Sequence, residues 1–329
     1  MKLLLRPYVL APLVLLLILL ILGWYWSREP GVMELASPHV TQSVDSGEIN
    51  PVVGYATTQM LIQSVETLLE KPGGYLSNDV TPPGLVIDNM PNWEFGVLQQ
   101  VRDLAKALRN DYSRSQTQSV ADADLELAEP SFNVNSEAWI FPSAEGQYAD
   151  GNEALKRYLS RLSDPNQKNA QFYARADNLN EWLSLVAKRL GSLSQRLSAA
   201  QAQTRQNTDL AGDASAQQST MADQEVLAKV SWFKIDDNFY EARGTAWALI
   251  HFLKAAETDF GPVLRDKNAM PTLRQIIREL EATQQPMFSF VVLNGSGLGL
   301  FANHSLVMSS YISRANAAIA DLRRLLADG

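Results

Sequence analysis

A glycine turn, Asn294-Gly295-Ser296-Gly297-Leu298-Gly299, follows an apolar run and precedes a helical pattern. That is where loops cradling phosphates sit, because glycines let backbone amides approach an anion. Leu300 stands where a dinucleotide fingerprint needs glycine. Asn294 and Leu298 occupy the glycine positions of a nucleophile elbow, and the lysine of a phosphate loop is missing. A tight turn using positive φ is the simpler reading, with Asn294, Gly295 and Gly297 kept as candidate binding residues. His304 opens the next helix beside this turn and joins them. Ser231-Trp232-Phe233-Lys234 has the Ser-x-x-Lys spacing of penicillin-binding enzymes but no Lys-Thr-Gly partner. Neither motif supplies a catalytic residue.

Metal chemistry finds little support. The three histidines, His39, His251 and His304, are far apart, and the absence of Cys removes thiolate ligands. His251 lies in an apolar helix and reads as a hydrogen-bonded core side chain. Asp122, Asp124 and Glu126 resemble the start of a calcium loop but lack its glycine and distal Glu, so they read as a solvated acidic loop. No cofactor is expected. Of the tryptophans beyond residue 27, Trp93, Trp182, Trp232 and Trp247 have core-like neighbours. Trp139, in a stretch read as extended, has none and is kept as a candidate binding residue.

The elements around these residues are helical. Thr58 to Lys71, the stretch from Asn92, Ala144 to Ser163, the stretch from Pro271, and Asn303 to Ala327 all carry apolar residues at helical spacing. Phe288 to Leu293 reads as the one strand, and residues 113 to 142 as loop and extended chain. The best pattern is Phe172, Ala176, Leu179, Leu183, Val186, Leu190, Leu193, Leu197 and Ala200, an apolar seam in steps of four and three. A return segment from Glu225 to Glu257 repeats the step, with charged Arg243 as a flaw. The expected fold is mainly α: a helical bundle with a long coiled-coil-like hairpin at about 168–257 and at most a minor β element.

Pro7 to Ser27 carries no charge and is mostly Leu, Ile and Val. At 1.5 Å per residue it spans about one hydrocarbon core, roughly 30 Å. Trp24, Tyr25 and Trp26 suit the headgroup region at its end. The run is too long for a cleaved signal peptide, no small-x-small site follows it, and no Cys is present for lipidation. Lys2 and Arg6 precede it and acidic residues come after it, which by the positive-inside rule puts the N-terminus in the cytoplasm. The expectation is a single-pass bacterial inner-membrane protein: stub and anchor at 1–27, a juxtamembrane linker at 28–56, and a periplasmic helical domain at 57–329. The whole chain has 28 basic and 36 acidic residues; without Lys2 and Arg6 the balance is 26 − 36 = −10. An acidic domain is a poor partner for nucleic acid or anionic lipid surfaces.

Three stretches carry a resemblance: PGGYLSNDVTPPGLVIDNMPNWEFGVLQQVRDLAKALRNDYSRSQ, AQFYARADNLNEWLSLVAKRLGSLSQRLSA and FANHSLVMSSYISRANAAIADLRRL. Together they resemble a family of bacterial membrane-anchored proteins catalogued only as a domain of unknown function. The resemblance implies an envelope protein and brings no activity or site residue. The expected function is therefore a non-enzymatic envelope scaffold or adaptor. Its expected partners are the lipid bilayer, through the anchor, and an envelope protein or a second copy, through helical surfaces. The competing classes are an enzyme acting on cell-wall or envelope polymer, and a secretion-type adaptor, which would need strand-rich domains.

Overall fold

The computed structural model describes residues 7–35, 40–42, 49–115, 119–167, 169–200, 203–206, 225–228, 230–231, 234–287, 289, 291–296 and 300–328. The chain is mainly helical. In order come α1 (Pro7–Trp26), α2 (Tyr55–Glu70), α3 (Asn89–Ala107), α4 (Ala123–Phe132), α5 (Ala144–Ser163), α6 (Ala176–Ser198), α7 (Ile235–Asp259), α8 (Gly261–Asp266), α9 (Met270–Ala282) and α10 (His304–Ala327). A π-helical turn, Leu108–Tyr112, extends α3. Two short antiparallel pairs complete it: β1 (Val40–Gln42) with β2 (Ile49–Pro51), and β3 (Gln203–Gln206) with β4 (Glu225–Ala228).

The centre of the body is α7, buried along most of its length. It runs parallel to α3: Asn92 Nδ2 donates to Asp237 Oδ1 at one end, and the Tyr112 and Phe260 rings meet at 5.2 Å at the other. Two glycines permit the close crossing. A Cβ on Gly244 would lie 2.0 Å from the Trp93 carbonyl oxygen, and one on Gly96 2.2 Å from that of Glu241. Beside this contact the Trp93 and Trp247 rings stack edge to face at 5.2 Å.

The apolar seam of α6 is real, with Leu179, Leu183, Val186, Leu190, Leu193 and Leu197 all buried. Its partner differs from expectation. The helix packs along α10 rather than pairing with α7 as a 168–257 hairpin. Ser194 Oγ lies 2.8 Å from Ser313 Oγ at one end, and Arg323 donates to Asn180 at the other, so the pair is antiparallel. A heptad pattern shows which face is buried and is silent on what covers it. The α7 segment reaches α6 mainly near one end, where Arg196 is bidentate to Glu241 and also donates to Asn238. Those two residues, which resemble a capping box, lie inside α7, whose first residue is Ile235.

Two further expectations change. Residues 113 to 142 contain α4, whose N-terminus is capped by Asp122 accepting from the Asp124 amide at 3.0 Å. The acidic trio is therefore a helix start rather than a loop. Asp124 is held by Arg157 and Arg161; burial pushes its carboxyl up, but the guanidinium hydrogen bonds outweigh this and lower it. Within the expected strand 288–293, Ser289 and Val291–Leu293 are not in a strand; Phe288 and Phe290 lie outside the described residues.

Helix α1 is 20 residues long. From Leu10 to Ile18 every side chain is exposed, and the helix meets the body near its C-terminal end, at Gly23 and Trp26. Among the described residues no helix is long and apolar enough to cross a membrane on an 18-residue span.

Candidate functional site

One end of the bundle gathers most of the residues singled out by sequence. The starts of α3, α5, α7 and α10 lie there, as do the ends of α2, α4 and α6, and α1 joins the body at the same end. A chain of contacts establishes this: Lys71 and the Leu76 amide on Glu94, Asn78 on Glu145, Phe132 on Tyr148, Asn92 on Asp237, Arg196 on Glu241, Asn294 on the carbonyl of Ala200, and Gly73 against Trp26.

The glycine turn closes through asparagines. Asn303 Nδ2 donates to Asn294 Oδ1 at 3.0 Å and to the Gly295 carbonyl at 2.7 Å, while its Oδ1 accepts from the Leu306 amide at 2.8 Å as the cap of α10. Asn294 Nδ2 donates onward to Ala200 O. The side chain of Asn294 is thus spent on holding the turn. A Cβ on Gly295 would sit 2.3 Å from the Phe301 carbonyl oxygen, so only glycine fits. Gly297 lies outside the described residues.

His304 is tied to the same turn. Its Nδ1 accepts from the Leu293 amide at 3.1 Å, and its backbone N–H donates to Leu293 O. Burial lowers the imidazole pKa. Behind it lies a cavity of about 470 Å³, walled by Phe239, Pro286, Met287, Val307, Met308 and Tyr311. Its cation, Arg243, is already committed: it pairs with Glu29 at 2.7 Å and donates to the carbonyls of Thr283 and Gln285. The cavity offers apolar surface and a neutral imidazole, which suits an apolar guest better than acid–base chemistry.

Trp139 sits in the loop between α4 and α5 and is 57% exposed. It does not line the cavity. Ser231 is exposed, and Trp232 and Phe233 of the Ser-x-x-Lys stretch lie outside the described residues. Arg6 also lies outside them. Trp24 and Tyr25 are exposed with Arg28 stacked 4.0 Å above the Trp24 ring, while Trp26 turns toward the body.

Sequence reasoning missed the role of the residues just after α1. Composition marks residues 28–56 as a linker, yet Glu29 to Met33 is a strap packed on α7. Glu29 pairs with Arg243, the Gly31 carbonyl accepts from Trp247 Nε1 at 2.9 Å, and the Met33 amide donates to His251 Nε2 at 2.8 Å. The Arg243 flaw in the α7 seam was the available signal, since a buried cation needs a carboxylate. His251 is fully buried, and its Nδ1–H donates to Trp247 O at 2.7 Å. Burial, helped by the Lys254 charge and opposed by the Trp247 bond, lowers its pKa to about 4.

Elsewhere, Glu94 is buried with its carboxylate on Lys71, the Leu76 and Ser77 amides and the Ser77 hydroxyl. Burial raises its pKa despite these partners. Asp259 caps the start of α2 through the Thr57 amide at 2.7 Å. Both are saturated by structural bonds. Among the described residues no group of three or more His, Cys, Asp or Glu is placed to hold a metal ion.

The fold and this end of it define a mainly helical protein with one projecting apolar helix. The chain belongs to the family DUF2333, described as an uncharacterized protein conserved in bacteria, whose model matches residues 2–329. Comparison with curated proteins and with solved structures found no match.

Proposed function

We propose that this is a single-pass bacterial inner-membrane protein, N-terminus in the cytoplasm, that holds a helical scaffold or adaptor domain at the periplasmic membrane surface without catalysing a reaction. The observation that carries it is α1. Leu10, Leu13, Val14, Leu15, Leu16 and Leu17 are each about half exposed in an all-apolar helix, and no element of the body covers them. Water is an unfavourable neighbour for a continuous apolar cylinder, and lipid is the natural one. The non-catalytic reading is supported by the polar residues at the anchored end: Asn294, Asn303, Arg243 and His304 are each occupied in holding the fold. The body then offers helical surfaces to an envelope protein partner.

The test joins fractionation to topology. The full chain should stay in the membrane pellet through alkaline carbonate. A phosphatase active only in the periplasm, fused after Gly329, should be active. Release by carbonate, or activity of a cytoplasm-only reporter at that terminus, overturns the reading.

A further inference from the structure

We propose that the end of the body from which α1 emerges rests on the bilayer itself, with the loops 79–88 and 138–142 dipping their apolar side chains among the lipid headgroups. The inference rests on α1 being the anchor, and it adds a second, lateral membrane contact made by the body.

The two loops expose Val80, Leu85, Val86, Trp139, Ile140 and Phe141, at 53%, 61%, 73%, 57%, 47% and 92%. Loops facing water are normally polar, and single exposed apolar residues are unremarkable; a cluster on adjacent loops marks a surface with an apolar partner. The loops are neighbours. Asn78 Nδ2 donates to the Ala138 carbonyl at 3.0 Å and to Glu145 Oε2 at 2.9 Å, joining one loop to the other. Both are rigidly backed, since Leu76 and Ser77 hang on the buried Glu94 carboxylate and Ala144 opens α5 with its amide on Ala138 O. Phe141 has φ +46°, an uncommon backbone for a bulky residue, retained here while its ring points into solvent.

The bilayer is the occupant because of where the loops stand. A Cβ on Gly23, in the last turns of α1, would lie 3.6 Å from Pro83 Cβ, and a Cβ on Gly73 would lie 2.8 Å from the Trp26 ring. The loop 79–88 therefore touches the end of α1, where Trp24 and Tyr25, with Arg28 just beyond, have the chemistry of the headgroup layer, and the loop 138–142 is joined to it through Asn78. The strap from Glu29 to Met33 fixes the body at that level rather than letting it swing on a free linker. The same end also exposes Leu300 and Phe301. The far end of α5, roughly 30 Å away at 1.5 Å per residue, exposes Val120 beside the Asp122 cap without apolar neighbours of this kind. Trp139 thus gains an explanation, as a ring at the depth where tryptophan partitions best.

The absence of Cys permits a direct test in the full chain. Leu16→Cys in α1, Leu85→Cys, Phe141→Cys and Val120→Cys are each labelled with the environment-sensitive dye NBD. The proteins are reconstituted in vesicles of phosphatidylethanolamine and phosphatidylglycerol. Every replaced side chain is exposed, so circular-dichroism melts should match the parent. The dye at Leu16, Leu85 and Phe141 should brighten several-fold and be quenched by doxyl-labelled lipid, while that at Val120 stays dim and unquenched. Quenching at Leu16 with Leu85 and Phe141 behaving like Val120 overturns the lateral contact and leaves the anchor standing, which is also the outcome if a protein covers these loops. No quenching at Leu16 overturns the anchor and this inference together.

Discussion

Acidification should loosen the strap through a single buried histidine. His251 accepts from the Met33 amide through Nε2 and donates through Nδ1 to Trp247 O, so it must be neutral. Protonation places a second N–H against the Met33 N–H. The folded-state pKa of about 4 lies below the ordinary 6.5. A neutral form favoured by folding contributes its full stability above pH 6.5, and that stability is lost as pH falls toward 4. Fully developed, the gap of 2.5 units at 1.36 kcal/mol each is about 3 kcal/mol; at pH 5 about 2 kcal/mol of it is gone. For a body of roughly 300 residues that is a fall of about 3 °C in Tm. Carboxylates titrate in the same range, so the comparison is with His251→Leu, which cannot titrate. The variant should be less stable at pH 7.5 by about 1–3 kcal/mol, because the Met33 amide is left without its acceptor. Its Tm should then drop less than the parent's between pH 7.5 and 5, and hydrogen exchange at Met33 should be fast at both pH values. Equal pH slopes for parent and variant would refute this account of His251.

Gly244→Ala forces a methyl to within 2.0 Å of the Trp93 carbonyl oxygen and should cost at least about 1–3 kcal/mol. Gly191→Ala meets only Asn316 Nδ2 at 3.5 Å and should stabilise by about 0.4–1 kcal/mol; chemical denaturation of both measures the contrast. Leu190→Asp places an unpaired carboxylate at a fully buried position facing α10 and should cost more than about 3 kcal/mol, so a wild-type melt would show the α6–α10 seam to be open. Ser231→Ala, at an exposed position, should change stability by less than about 0.5 kcal/mol and leave any deletion phenotype complemented; attachment of a labelled β-lactam to Ser231 would reverse that expectation.

Local order was legible in the sequence wherever a single helix decides its own face. The seam from Leu179 to Leu197 and most of the α5 stripe are buried as their spacing requires, and so is the α10 stripe from Ala315 onward, although Val307 at its start is exposed. Pairing was not legible, because spacing carries no address: α6 and α7 are neighbours in sequence yet each has its main contact with another helix, α10 and α3. Helix α4 was obscured by Pro130 near its end and by an acidic trio that looks solvated until Arg157 and Arg161 are brought to it from α5. At the candidate site, Gly297 to Gly299 lie outside the described residues and Gly295 does not have the positive φ expected of it, while the pairing of Asn294 with Asn303 depends on a chain reversal that no motif encodes. The strap was missed because Ser, Pro and Gly signal irregular backbone, and irregular backbone can still be tightly bonded to a helix.

That strap also imposes an order of events on biosynthesis. Glu29 and Met33 are made early, but Arg243 and His251, which hold them, come 214 and 218 residues later. Asp259, which caps α2 at Thr57, is likewise 202 residues behind its partner. At the usual 5–20 residues per second the emerging chain spends roughly ten to forty seconds with these partners unmade. During that interval the Glu29 carboxylate and the Gly31 carbonyl remain in solvent, and nothing yet fixes the angle between α1 and the newly made chain beyond it. The joint locks only when α7 arrives, so the geometry of the end from which α1 projects is among the last things the growing chain acquires.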